Sequence, residues 1–221
     1  MELADRLASV REGVARAADA AGRDPGGITT IVVTKFHPAP LVRDLAALGV
    51  RDVGENRHQE AAAKVAEVGD ASLRWHFVGQ LQSNKARQAR TYAHAVHSVD
   101  RASLVDALAG EEPLEVFLQV NLTPDPARGG AQPGELDALA ERVLGTEGLV
   151  LRGLMAVAPL DEPARPAFAR VRELGERLQR LAPDATSLSM GMSGDYADAI
   201  LEGATHLRIG TAITGNRPRR G

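Results

Sequence analysis

Only three lysines stand among the 26 Lys+Arg residues of this 221-residue chain: Lys35, Lys64 and Lys85. Chemistry that needs an amine therefore has few places to sit. Lys35 closes the β-branched run ITTIVVTK over 28–35. A lysine stem entering a dry strand end loses ammonium hydration, so its pKa falls and the amine becomes nucleophilic toward a carbonyl carbon. The competing reading is a lysine that snorkels to solvent. Lys64, inside the Ala-rich EAAAKVAEV, is expected on a solvated helix face. Lys85 follows LQSN at a helix start and is expected to pair locally rather than line a pocket.

Two further segments, SMGMSGD (189–195) and RIGTAITG (208–215), place glycines and small hydroxyls between a strand-like run and a helical one. Gly191, Gly194 and Gly210 let a backbone approach an anion, while Ser193 and Thr211 add hydroxyl donors. Ordinary capped turns are the alternative. Arg208 lies two residues before Gly210, on the same strand face, and so points inward. A buried guanidinium needs a partner, either a carboxylate or a ring-nitrogen acceptor. Amine, phosphate loops and inward arginine together describe a site for pyridoxal phosphate. The amine would capture the aldehyde, the loops would cradle the phosphate, and the arginine would face the pyridine nitrogen. In GENRHQE (54–60), Asn56 offers an amide at the same mouth, with Glu55 placed to orient it; a helix N-cap is the competing role. His76 reads as a hydrogen-bonded core histidine. His94 and His97 fall on opposite strand faces, and the six histidines show no zinc-like spacing. No metal is expected.

The elements that must position these residues follow from the apolar pattern. After a helical stretch with Leu3, Leu7, Val10, Val14 and Ala18 at steps of three and four, GRDPGG (22–27) is a stop. Short apolar runs then recur at 28–35, 50–54, 75–79, 95–99, 114–122, 149–155, 187–190 and 206–210, separated by Ala/Leu/Arg-rich helical stretches. Alternating β and α elements predict a parallel sheet. Eight such units predict one (β/α)8 barrel domain over 1–221 with an extra N-terminal helix, and function at the strand C-terminal ends. An open doubly wound sheet is the alternative, although no dinucleotide fingerprint or Walker loop is present. TPDPARGGAQPGE (123–135) reads as one long βα loop.

A formal charge of −3 leaves no footprint for generic nucleic-acid or anionic-membrane binding, and the basic ARQAR and NRPRRG segments read as solvated. Zero cysteine excludes a disulfide scaffold, a thiolate nucleophile and Cys-ligated clusters. No apolar run is long enough to span a bilayer, and the first 22 residues lack a secretory signal core. A cytoplasmic location is expected.

VVTKFHP, GENRHQE, WHFVGQLQSNK, LSMGMSGDYADAI and RIGTAITG resemble, in order and spacing, the pyridoxal phosphate homeostasis protein family. The resemblance runs from about residue 28 onward. It implies a fold type III, alanine-racemase-like barrel without that enzyme's β-rich second domain. It also implies pyridoxal 5′-phosphate held as an internal aldimine on Lys35, with Ser193, Gly210 and Thr211 at the phosphate, Arg208 at the pyridine nitrogen and Asn56 beside the cofactor. Three positions depart from the family pattern. His37 replaces a second lysine, Thr214 replaces a phenylalanine, and Arg128 replaces a lysine.

The expected function is intracellular pyridoxal phosphate homeostasis without catalytic turnover, by a monomer, with apo-enzymes as candidate recipients. A pyridoxal phosphate-dependent amino-acid racemase is the alternative. It needs an acid/base group on each face of the ring, and the only tyrosines are Tyr92 and Tyr196. A Schiff-base aldolase would need a lysine on a later strand, and strands four to eight carry none.

Overall fold

The computed structural model describes residues 2–216. Residues 217–221 of the basic tail lie outside the described residues, and with them the reading of that tail. All eight strand-like runs form strands: β1 (Thr29–Val33), β2 (Asp52–Glu55), β3 (Arg74–Phe77), β4 (Ala93–Val99), β5 (Leu114–Gln119), β6 (Leu149–Met155), β7 (Ser187–Ser189) and β8 (His206–Ile209). They pair in parallel in chain order, and β8 closes on β1, with Ile31 opposite Arg208. The sheet is a closed barrel, not an open one.

Helix α1 (Leu3–Ala20) precedes the barrel. Between the strands lie α2 (Ala39–Ala47), α3 (His58–Val68), α4 (Ala86–Arg90), α5 (Ala102–Ala107), α6 (Leu136–Leu144), α7 (Ala164–Leu178) and α8 (Tyr196–Leu201); α9 (Thr211–Thr214) follows β8. The apolar stripe of α1 buries Leu7, Val10, Val14 and Ala18. That face packs on α8 and α9, and Arg6 donates to the Ile213 carbonyl at 2.6 Å. Gly13 is required there: a Cβ would fall 2.2 Å from the Tyr196 hydroxyl. Helix α4 is the ARQAR segment, and its Arg90 binds the carbonyls of Leu108, Gly148 and Glu112, a structural use of that charge. No helix among the described residues is long and apolar enough to cross a membrane.

Period-two alternation divides the strands' side chains between two compartments. One set, including Val32, Val53, Val96, Leu118 and Leu207, joins helix residues such as Leu45, Phe168 and Val171 in the main hydrophobic core. The other set faces the barrel interior. Such interiors are usually layered with branched aliphatics. Here a cluster of Ala95, Phe117 and Met155, with Ile31 and Val33 of β1, shares the interior with the buried polar residues His76, His97, Ser189 and Arg208.

Candidate functional site

At the C-terminal ends of the strands a pocket of about 450 Å³ is lined by Lys35, Asn56, Ser193, Arg208, Gly210 and Thr211, together with Val33, Gly79 and Gly194. All six candidate residues named from the sequence share this one cavity. A larger cavity, about 570 Å³, opens at the opposite end beneath α1. It contains none of them.

Lys35 does not close the strand. β1 ends at Val33, and Lys35 lies in the following turn, where its side chain is exposed. The dry, desolvated environment expected for it is therefore not found; the barrel's apolar stack stops two residues earlier. The turn itself is unusual. His37 N–H closes onto the Thr34 carbonyl at 3.1 Å, and Phe36 adopts φ +69°, a left-handed conformation that a bulky side chain rarely takes. Lys35 Nζ lies 5.8 Å, and the Arg57 guanidinium 5.5 Å, from the Phe36 ring centroid.

Beneath this turn is the largest departure from the sequence reading. Lys64, expected on a solvated face, is buried. Its ammonium binds the Thr34 carbonyl at 2.9 Å and pairs with Glu55 Oε1, which also accepts from Thr34 Oγ1 at 2.6 Å. Helix α3 turns Ala61 and Lys64, three residues apart, into the protein, and the Ala-rich sequence around them does not mark which face that is. Glu55 thus anchors Lys64 and Thr34 rather than orienting Asn56. Burial holds its carboxyl above the usual range, against the opposing pull of Lys64. The residue that replaces the family's second lysine, His37, has its pKa lowered by burial and by the charges of Lys64 and Arg6.

Asn56 follows β2, and the N-cap of α3 is Arg57, so Asn56 is not the cap. Its Oδ1 is buried and has no hydrogen-bond partner among the described residues. Gly79 makes that position possible, because a Cβ there would stand 2.2 Å from the Asn56 carbonyl oxygen. Lys85 lines an adjoining groove that shares Asn56 with the main pocket; it is not locally paired among the described residues.

On the other side, the Ser193 hydroxyl accepts from Ala212 N–H at 3.2 Å and lies 3.5 Å from Thr211 Oγ1, bringing the two glycine-rich loops together. A Cβ on Gly194 would meet nothing within 4 Å, so its backbone faces open space. Gly191 serves packing instead: at φ +92° it lies against Ala199 of α8. Thr214 is buried and donates to the Gly210 carbonyl at 3.1 Å.

Arg208 is inward and buried, as its register predicts. Nη1 donates to the Ser189 carbonyl at 2.6 Å and to Ser189 Oγ at 2.9 Å, and Nη2 donates to the Ala156 carbonyl at 2.8 Å. None of these partners is a carboxylate. Burial lowers its pKa to about 10, which leaves it cationic at neutral pH. His76 is a hydrogen-bonded core histidine, and His97 is buried while His94 is half-exposed beside Glu115. No three His, Cys, Asp or Glu among the described residues are arranged to hold a metal ion. Neither tyrosine lines the pocket: Tyr196 packs on α1, and Tyr92 stacks on His58 with the ring centroids 5.9 Å apart.

Fold and site together define a barrel of the alanine-racemase type, and residues 7–218 match the family described as alanine racemase, N-terminal domain. The alanine racemase of Corynebacterium glutamicum superposes with a TM-score of 0.75 at 14% identity, over 95% of this chain but 60% of the enzyme, a likeness of fold alone. A pyridoxal phosphate homeostasis protein from Pseudomonas aeruginosa is 47% identical over 97% of this chain and 96% of its own length. PipY from Synechococcus elongatus, solved with PLP bound, superposes with a TM-score of 0.85 at 40% identity, over 97% of this chain and all of PipY. The chain belongs to the pyridoxal phosphate homeostasis protein family.

Proposed function

We propose that this pocket binds pyridoxal 5′-phosphate and that the protein holds the cofactor for intracellular homeostasis without turning over a substrate. The observation that carries the reading is one cavity combining an accessible amine, Lys35, with a buried guanidinium, Arg208, whose hydrogen bonds go to no carboxylate. The orphaned acceptor Asn56 Oδ1 and the open backbone at Gly194 fit the same ligand. When bound, pyridoxal phosphate supplies an aldehyde that an amine can capture reversibly. Lys35 is then the covalent attachment point, Ser193, Gly210 and Thr211 hold the phosphate, Arg208 faces the ring nitrogen, and Asn56 lies beside the ring.

Two features of the chain favour holding over turnover. Arg208 is a donor that stays protonated, so it does not hand the ring nitrogen a proton, and an unprotonated ring is a poor electron sink. Racemisation also needs an acid/base group on the face opposite the lysine, and both tyrosines point elsewhere. The protein would act as a cytoplasmic monomer, with apo-enzymes as the recipients. The test is the absorbance of the purified protein with added pyridoxal phosphate, followed by borohydride reduction and peptide mapping. A visible band trapped on the Lys35 peptide, absent in Lys35→Ala, is expected, with no D-alanine formed from L-alanine. Trapping at Lys64 or Lys85 would overturn the site, and D-alanine would overturn the carrier role.

A further inference from the structure

Four polar side chains, His76, His97, Ser189 and Arg208, are buried inside the barrel beside its apolar residues. Starting at Arg208, the hydrogen bonds run on without a break. Ser189 Oγ, which accepts from Arg208, lies 2.8 Å from His97 Nδ1. His97 Nε2 lies 2.9 Å from His76 Nδ1, and His76 Nε2 lies 2.9 Å from Asp52 Oδ1. Asp52 in turn accepts from Arg74 at 2.6 Å, at the N-terminal end of the barrel. His97 is fully buried, and its ring stacks on Phe117 with centroids 4.3 Å apart at 11°.

The carboxylate end sets the direction of the line for neutral imidazoles. A guanidinium can only donate and a carboxylate can only accept. With both imidazoles neutral, His76 Nε2–H donates to Asp52, His97 Nε2–H donates to His76 Nδ1, and the Ser189 hydroxyl donates to His97 Nδ1. Burial holds the pKa of His97 well below its ordinary value.

Stability alone gives no reason for this arrangement, since a buried polar chain can be exchanged for well-packed apolar groups at little loss. Its use is at Arg208. A carboxylate placed directly on the guanidinium would compete with any ligand for its hydrogens. The relay instead places the hydroxyl of Ser189, backed by His97, on the guanidinium, while Asp52 pairs with Arg74 at the far end and Asp195 acts on Arg208 only through space. Nη1 is fixed on Ser189, while no described residue accepts from Nε.

We propose that Ser189 and His97 are positioning residues that orient Arg208 toward the cofactor and polarise it through a one-directional hydrogen-bond relay anchored on Asp52. The proposal rests on Arg208 facing the cofactor ring, as read above. Its test uses Ser189→Ala, His97→Phe and the hydroxyl-retaining Ser189→Thr, with pyridoxal phosphate titrated into each and the visible band recorded. Ser189→Ala and His97→Phe should bind about tenfold more weakly and with a displaced band, while reduction still labels Lys35; Ser189→Thr should stay within about twofold of the parent. Folded variants with the parent's affinity and band would overturn the relay and leave the binding site standing. A parent protein with no band at all would instead overturn the site reading. Independently of any variant's folding, nitrogen-15 spectra of the parent should show His76 and His97 as Nε2–H tautomers. A hydrogen on Nδ1 of either ring would refute the proposed direction.

Discussion

The Lys64 ammonium sits 2.9 Å from the carbonyl oxygen of Thr34, one residue before Lys35, and pairs there with Glu55. The same carbonyl accepts from His37 N–H, so the buried ion pair grips the residue on which the turn that presents Lys35 closes. The left-handed Phe36 within that turn costs free energy that its surroundings must supply. Helix α3 thereby becomes part of the site, although only its lead-in residue Asn56 touches the pocket.

Breaking this pair from one side strands a buried charge, while removing both partners does not. Lys64→Met or Glu55→Gln alone is expected to destabilise the fold by about 3 kcal/mol, and the double variant by clearly less than the sum. Urea denaturation of the four proteins measures the coupling. Additive losses would show that the two side chains contribute independently and that the turn is held by other contacts.

Asn56 carries a buried acceptor that no described residue satisfies, which costs about 1–3 kcal/mol in the ligand-free state. Asn56→Ala should leave the ligand-free protein as stable as the parent or slightly more so, and weaken pyridoxal phosphate binding about tenfold. Thermal denaturation without ligand and a binding titration read the two effects separately. Loss of stability with unchanged affinity would make Asn56 a structural residue.

The buried imidazoles predict an acid-side loss of stability. Burial lowers the pKa of His97 well below 6.5 and that of His206 to about 4. As pH falls below about 6.5, the unfolded chain takes up protons that the folded one refuses. These groups therefore cost nothing near pH 8, and His206 alone removes about 3 kcal/mol by pH 4. Unfolding free energies from urea titrations at pH 7.5 and pH 4.5 should differ in that sense, and His206→Asn should recover part of the difference. A flat profile would mean that the rings are hydrated in the fold.

The order and number of elements were legible in the sequence because parallel barrels bury their strands on both faces. Runs such as ITTIVV and LEVFLQV must then be almost wholly apolar, and the Pro/Gly clusters between elements stop helices locally. Arg208 and the two glycine-rich loops were legible for a similar reason: register and strand ends are short-range properties. Lys64 was not. A lysine flanked by alanines has the same local pattern whether its helix faces water or presses on the barrel, and only the packing of α3 on β2 supplies Glu55 as its partner. The relay from Arg208 to Asp52 was equally invisible. His76 and His97 lie on the neighbouring strands β3 and β4, but Ser189 is on β7, and the closed barrel brings it within hydrogen-bonding distance of His97. The sequence by itself determined the barrel and the residue types at its mouth, through periodicity and turn chemistry. The tertiary structure alone decided which buried charges neutralise one another, because that depends on distances between segments that no local pattern encodes.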